Sequence, residues 1–319
     1  MNQLLDTLRL PKDASARYLL VLLFGSLAFM LVANGEVFYS LSNLQSIASQ
    51  IPLLGIFAFA MAICMLTGGI NLSIIATTNA SALVMANIIV LAPESSTVLL
   101  LALVAGFVAA LIIGLFNGIL IAYIGVSPIL ATLGSMTLIN GFNILLSGGS
   151  VISGFPDGLL VLASGAVIGI PIPLLLLLVI GFILWLVLEH TVLGQTIFLL
   201  GSNEEATFYS GVNTKKSLMY VYAISSILCW VAALIMMAKF NSAKAGYGES
   251  YLLTAILASV LGGINPDGGF GRVIGIGLAL IVLQVLESGM NLLGISSYLT
   301  MALWGGIIIL FIALKRQKA

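Results

Sequence analysis

Seven polar side chains lie inside long apolar runs of the sequence, where a polar group needs a partner or a function. They are Asn79, Asn117, Asn140, Asn143, Gln284, Glu287 and Asn291. The last three follow i, i+3, i+7 spacing, so a helix places them on one face. Because neutral amides with one carboxylate suit a hydroxyl-bearing solute better than an ion, we predict that the seven line a translocation path. The alternatives are interhelical hydrogen bonding for the asparagines and a subunit interface for Glu287.

The most polar long segment between the two ends of the chain covers residues 190–216. Ser202 and Glu205 have the spacing of a capping box, in which the hydroxyl and the carboxylate each bind an amide at the helix start. Glu204 and Glu205 fall in the first turn, where the helix dipole favours carboxylates, and Gly211 supplies a stop at C′. We therefore predict a short helix over 202–211, held by a partner outside the bilayer.

No pattern in the sequence predicts covalent chemistry. His190 is the only histidine and stands where an apolar run ends, and the sequence contains no nucleophile–base pair or metal-ligand spacing. Cys64 and Cys229 lie in apolar runs and indicate neither a disulfide framework nor a metal site. A nucleotide-binding motif is also missing. We expect no enzymatic activity, no cofactor and no metal.

The composition is that of a membrane protein. Hydrophobic residues make up 61% of the chain and charged residues 7%, and the mean hydropathy is +1.23; soluble domains carry about a quarter charged residues. The formal net charge is 0, so nothing indicates a nucleic-acid partner. We predict an all-α integral membrane protein with one transmembrane domain over residues 1–319.

Apolar runs of about 20 residues, the length that crosses the hydrocarbon layer, predict about ten transmembrane helices. The predicted spans are 18–35, 51–69, 72–92, 97–123, 127–147, 172–189, 217–239, 251–264, 271–291 and 297–314. Two of them have an alternative. The span 72–92 contains Asn79 and Asn87, and 251–264 is too short to stand upright in the membrane. Either is a full span or a half-helix covered by protein.

Ten spans put both termini on one side of the membrane, and the basic residues indicate which. With cytoplasmic termini, only Lys239 and Lys244 of the 11 Lys and Arg face outward, which satisfies the positive-inside rule. We therefore predict cytoplasmic termini and a cytoplasmic segment 190–216. Residues 38–50 are predicted as an interface segment or a loop outside, and residues 262–272 as a flexible cytoplasmic turn.

Small residues recur every four positions along the span 97–123, at Gly106, Ala110, Gly114 and Gly118. On a helix this spacing forms one ridge. Because such a ridge lets a second helix approach closely within lipid, we predict that it packs against another span.

Three blocks of the sequence carry a resemblance to one family. They are LTGGINLSI (66–74), SPILATLGSMTLINGFNILLSGG (127–149) and GQTIFLLGSNEEATFYSGVN (194–213). Over about residues 38–312 the chain resembles ribose-type permeases of ABC sugar importers, in the branched-chain amino acid/sugar permease superfamily, and the third block is similar to their cytoplasmic coupling segment. Asn71 stands where the family commonly has Asp, and Ile75 where it has Gly. Because Asn keeps the capping ability of Asp but lacks its charge, we expect that the solute can differ from the pentose that is usual for the family.

The resemblance implies the permease bundle of an ATP-driven importer in the bacterial inner membrane, moving a sugar or sugar-like solute into the cytoplasm. The implied partners are a cytoplasmic ATP-binding subunit, an extracytoplasmic solute-binding protein, a second permease copy and membrane lipid. The implied coupling residues are Ser202, Asn203, Glu204, Glu205, Ala206, Phe208 and Gly211. The competing hypotheses are an ion-coupled secondary transporter or channel, and an ABC permease for nucleosides. An ion-coupled carrier needs ionisable relays within the membrane, and the sequence offers Glu287 and little else.

Overall fold

The computed structural model of the chain describes residues 14–316, and most of these residues are α-helical. The helices are α1 Ala14–Phe38, α2 Leu41–Met65, α3 Ile74–Ile89, α4 Ser96–Ala122, α5 Pro128–Ser147, α6 Asp157–Ser164, α7 Ile172–His190, α8 Val192–Ser202, α9 Glu204–Tyr209, α10 Thr214–Phe240, α11 Tyr251–Leu261, α12 Val273–Leu292 and α13 Ser297–Arg316. Four two-residue strands form two antiparallel pairs. They are β1 Ile152–Ser153 with β4 Ser242–Ala243, and β2 Ala166–Val167 with β3 Ile170–Pro171.

Each of the ten predicted spans corresponds to a helix, and six helices of the described region are long and apolar enough to cross a membrane. These six are α2, α4, α5, α7, α10 and α12. By contrast, α3 has 16 residues and α11 has 11, fewer than the roughly 20 that cross the hydrocarbon layer. Their lengths agree with the half-helix alternative. The two chain termini themselves lie outside the described residues.

Most of the segment 38–50 forms the first turns of α2, so the loop alternative was wrong, and a position at the outer interface stays a prediction. Ser40 is the N-cap of α2 and accepts a hydrogen bond from the backbone N of Asn43 at 3.3 Å. From Leu41 the helix runs without a break through Pro52 to Met65. Hydropathy alone missed these first turns because their polar residues lower the mean hydropathy of the segment. The helix nevertheless begins at the Ser40 cap and includes them.

The predicted ridge on α4 is a packing surface. A side chain added at Gly114 meets Ser226 of α10, one added at Gly118 meets Met219 of α10, and one added at Gly106 meets Met85 of α3. Close approach of this kind is how helices associate in lipid. Helix α2 lies at the centre, where every residue from Ile51 to Met65 is buried.

The outer face of α4 shows what surrounds the bundle. Leu100, Val104, Val108 and Ile112 are all between 44% and 62% exposed, and they follow one another at helical spacing. Water disfavours such a continuous apolar stripe, whereas the hydrocarbon of a bilayer accepts it. The exposed surface of the bundle is therefore that of a protein immersed in lipid.

Candidate coupling segment and translocation path

The short helix α9 begins one residue later than the sequence pattern predicts. Oδ1 of Asn203 accepts a hydrogen bond from the backbone N of Ala206 at 2.9 Å, which makes Asn203 the N-cap. Ser202 instead ends α8 and donates to the carbonyl oxygen of Phe198 at 2.9 Å. The capping box of Ser202 and Glu205 was therefore wrong. Asn is as good an N-cap as Ser, and Asn203, which immediately precedes the helix, is the N-cap.

The first-turn carboxylates and the glycine stop predicted for α9 are confirmed, and its binding to a partner stays a prediction. Glu204 and Glu205 occupy its first turn and are exposed. Gly211 follows the C-cap residue with φ of 82°, the left-handed conformation of a C′ glycine. Phe208 and Tyr209 are 60% and 85% exposed. The helix thus presents two carboxylates and two aromatic rings that are largely uncovered by the chain itself.

The residues just before α9 are fixed by close contacts among four glycines, Gly68, Gly201, Gly268 and Gly269, which we call the glycine knot. The backbone N of Gly269 donates to the carbonyl oxygen of Leu66 at 3.0 Å. A side chain on Gly201 would collide with that same oxygen and with the N of Gly269, and one on Gly268 would lie 2.7 Å from the N of Gly68. Side chains therefore cannot be accommodated here.

The glycine knot joins three distant parts of the chain: the end of α2, the end of α8 and the loop 262–272. Gly268 and Gly269 are buried within it. The loop is thus packed against two other segments rather than being the flexible turn that its composition predicts. The end of α8, just before α9, is therefore attached, through backbone atoms, to the break between α2 and α3.

That break holds a buried network of hydrogen bonds. Nδ2 of Asn71 donates to Oγ of Ser225 at 3.0 Å, and Oδ1 of Asn71 accepts from Oγ of Ser73 at 2.7 Å. Nδ2 of Asn117 donates to Oγ of Ser73 at 2.9 Å, and Oδ1 of Asn117 accepts from Oγ of Ser135 at 2.6 Å. The network connects α10, the break, α4 and α5. Asn117 is placed as the interhelical alternative predicts.

The other predicted asparagines on α3 and α5 are partly satisfied. Nδ2 of Asn79 donates to the carbonyl oxygen of Tyr247 at 3.1 Å, and Nδ2 of Asn143 to that of Ala76 at 3.0 Å. Their side-chain oxygens are buried and accept no hydrogen bond from the described residues. Asn140 is half-buried. Asn117 thus belongs to the network at the break, whereas Asn79 and Asn143 bond to backbone carbonyl oxygens outside it. Whether any of the asparagines lines the path stays a prediction.

The residues predicted on one face of α12 lie together at a polar cavity. Glu287 and Asn291 line it, and Nε2 of Gln284 donates to Oε1 of Gln50, which lines it from α2, at 3.1 Å. Asn43 and Ser46 lie on the same wall as Gln50. Sequence reasoning missed this second wall. The signal was present, because residues 43, 46 and 50 repeat the i, i+3, i+7 spacing seen on α12.

The fold and these sites define a multi-pass membrane transport protein. The chain matches, over residues 43–312, the family model described as branched-chain amino acid transport system / permease component. It is 33% identical over 279 residues to the ribose import permease protein RbsC of Bacillus subtilis, covering 87% of this chain and 85% of that one. The corresponding protein of Escherichia coli K12 is 33% identical over 285 residues, 88% of each chain.

A third relative is named for a different import system. The autoinducer 2 import system permease protein LsrD of Enterobacter sp. strain 638 is 33% identical over 298 residues, covering 92% of this chain and 88% of that one. No solved structure matches the chain. The chain belongs to the permease-component family. It is a permease subunit of an ABC importer, a transport component whose ATP is hydrolysed on a separate subunit.

Proposed function

We propose that this chain is the membrane-spanning subunit of an importer for a sugar or sugar-like hydroxylated solute in the bacterial inner membrane. The observation that carries the proposal is the one-third identity over almost the whole length to permeases named for ribose and autoinducer 2 import. The amide-rich cavity between α2 and α12 supports the same class of solute, since amides both donate to and accept from hydroxyl groups.

Helix α9, in this proposal, seats in the cytoplasmic ATP-binding subunit. Two features support the assignment. The exposed pair Phe208 and Tyr209 offers the aromatic anchors that are common at binding hot spots. The glycine knot attaches the start of the helix to the end of α2, so a force on α9 reaches the bundle through backbone contacts. The proposed contact residues are Ser202, Asn203, Glu204, Glu205, Ala206, Phe208 and Gly211.

Charge reversal on α9 tests the coupling role. Glu204→Lys with Glu205→Lys removes helix-dipole contributions of only about 0.3–1 kcal/mol each, so the variant is expected to fold and insert normally. Loss of a hot-spot contact costs about 2 kcal/mol or more, so co-purification of the ATP-binding subunit and solute uptake are expected to fall. Both are measured with the permease expressed together with its ATP-binding subunit.

The matched control is Asp157→Lys. Asp157 is also an exposed carboxylate in the first turn of a short helix, α6, so its reversal makes the same kind of change at one position instead of two. Position 157 lies in the connection between α5 and α7, on the predicted outer side, and its variant is expected to retain the ATP-binding subunit. Full uptake and co-purification by the Glu204/Glu205 variant would contradict the coupling role.

The energy source separates this proposal from an ion-coupled carrier. The test uses proteoliposomes that contain the permease, the ATP-binding subunit and the solute-binding protein. Uptake is expected to require ATP on the side of the membrane where the ATP-binding subunit lies, and to be insensitive to collapse of ion gradients. An ATP-binding subunit that binds but cannot hydrolyse ATP is the control. Uptake by the permease alone, driven by an ion gradient, would favour the secondary carrier.

The assembly we propose is a homodimer of ten-span subunits with the termini in the cytoplasm. A path between two copies is implied by the resemblance to ABC importers, and the two short helices α3 and α11 are counted among the ten. The mass of the purified complex measures the copy number directly. A complex with one permease copy, or with one copy of a different permease beside it, would contradict the homodimer.

A further inference from the structure

A polar cavity of about 220 Å³ lies among α2, α11, α12 and α13. The residues that matter most for its chemistry are Asn43, Gln50, Tyr251, Glu287, Asn291 and Trp304. The volume is below the roughly 300 Å³ at which pockets for drug-sized ligands begin. It is therefore sized for a small molecule with few heavy atoms.

The cavity lies at the end of the bundle opposite to the glycine knot. It opens beside the first turns of α2, whereas the knot contacts Leu66, which follows the last residue of α2. From Gln50 to Leu66 the helical rise of 1.5 Å per residue gives about 24 Å. A bound solute would thus be held most of a bilayer thickness away from the coupling segment, where an external binding protein would release it.

Two hydrogen bonds hold the walls in place. Oγ of Ser288 on α12 donates to Oδ1 of Asn43 on α2 at 3.0 Å, and Nε2 of Gln284 donates to Oε1 of Gln50 at 3.1 Å. These bonds set the distance between α2 and α12 without a ligand. Groups that are positioned in advance bind a solute with less loss of conformational entropy.

The carboxylate of Glu287 remains available to a ligand. It accepts no hydrogen bond from the residues that the structure describes, although it interacts electrostatically with Lys239 at the end of α10. Apart from Glu287, the polar side chains that line the cavity are uncharged amides and hydroxyls, which suit a neutral hydroxylated ligand. Trp304 is buried and Tyr251 is half-buried beside it, and aromatic faces suit the apolar C–H side of a sugar ring.

We propose that this cavity is a binding station for a neutral polyhydroxylated solute, with Glu287 and Asn291 bonding its hydroxyl groups and Trp304 packing on its ring. The proposal rests on the proposed function and adds the location, the residues and the charge of the ligand. It also assigns part of the site to the first turns of α2, which lie outside the predicted spans.

Uptake kinetics of the complete complex provide the first test. The unsubstituted complex is assayed with D-ribose, a hexose and a linear polyol, and the variants are compared with whichever of the three is transported. Glu287→Gln and Asn291→Ala are each expected to raise KM about tenfold, the effect of losing one ligand hydrogen bond. The control is Thr137→Val, because Thr137 is exposed on α5, outside the cavity, and its hydroxyl donates to the carbonyl oxygen of Leu133 in its own helix.

Fluorescence of Trp304 provides a second test that needs no transport. With Trp185→Phe and Trp230→Phe, Trp304 is the only tryptophan left in the chain, and the transported sugar is expected to change its emission with saturation. Glu287→Gln is expected to weaken that response. Unchanged KM in both cavity variants, with no change in Trp304 emission, would overturn the proposal and leave the importer function intact. Failure of the unsubstituted complex to transport any of the three solutes would count instead against the proposed function.

Discussion

Asn71 holds together the break between α2 and α3 through both ends of its amide. Its nitrogen donates to Ser225, while its oxygen accepts from the backbone N of Ser73 at 3.1 Å and from the Ser73 hydroxyl at 2.7 Å. Ser225 in turn donates to the carbonyl oxygen of Ala60 at 2.8 Å. The site therefore needs one donor and one acceptor from residue 71, which an amide supplies and a carboxylate does not.

Asn71→Asp is accordingly expected to destabilise the protein. The substitution places a second acceptor against Ser225, whose hydrogen already goes to Ala60, and an unmade buried hydrogen bond costs about 1–3 kcal/mol. Thermal unfolding of the purified permease in detergent measures the loss. Asn203→Asp is the control, because Asn203 is exposed and caps α9 through an oxygen that Asp also has. An unchanged midpoint for Asn71→Asp would show that Ser225 turns to donate to the carboxylate.

At the residue scale, the sequence predicted the first-turn acids and the glycine stop of α9 correctly, but it assigned the N-cap to the wrong residue. The first-turn carboxylates and the glycine stop of α9 follow local rules, and the structure has them where those rules put them. The cap itself was assigned to Ser202 because a serine three positions before Glu205 fits a known pattern. Two adjacent capping residues compete, and only the backbone conformation at Asn203 decides between them.

Among the elements, the glycine knot links the end of α8, just before α9, to the end of α2 and to the loop 262–272. Gly201→Ala is expected to destabilise the permease by about 1–3 kcal/mol, the usual cost of an overpacked site. The added methyl group meets backbone atoms of Leu66 and Gly269, and backbone atoms cannot rotate aside as a side chain does. Thermal stability and retention of the ATP-binding subunit are the two measurements.

Gly141→Ala is the matched control for the knot. Gly141 lies inside α5 with no atom within 4 Å of an added Cβ, and Ala is favoured over Gly in a helix by about 1 kcal/mol. The control is therefore expected to be neutral or stabilising. Equal behaviour of the two variants would mean that the three segments separate easily and that the knot does not carry the coupling.

The elements themselves were largely predictable, whereas their contacts were not. Apolar length predicts a helix for every span, and the small-residue ridge of α4 predicts a packing face. The contacts of Leu66, Gly201 and Gly269 join residues far apart in the sequence through backbone atoms, which leave no periodicity. The wall of the cavity on α2 was missed for another reason: it lies on polar turns that extend a span beyond its apolar part.

At the scale of the whole molecule, the two proposed sites lie at opposite ends of the bundle. The knot and α9 lie at one end of α2, and the polar cavity lies at the other, about 24 Å away by helical rise. Helix α10 runs between the same two ends. It starts just after α9 and finishes at Phe240, next to Lys239, which interacts with Glu287 of the cavity. Its 27 residues span about 40 Å, enough to cross the membrane.

This geometry gives a direct test of orientation. Lys215 and Lys244 are both exposed and lie beyond opposite ends of the crossing part of α10. If α9 is cytoplasmic, a membrane-impermeant maleimide applied to intact cells is expected to label Lys244→Cys and to label Lys215→Cys only after the membrane is opened. The native Cys64 and Cys229 are fully buried, so the unsubstituted chain should stay unlabelled and serves as the control. Labelling of Lys215→Cys alone in intact cells would place α9 outside, where no ATP-binding subunit can reach it.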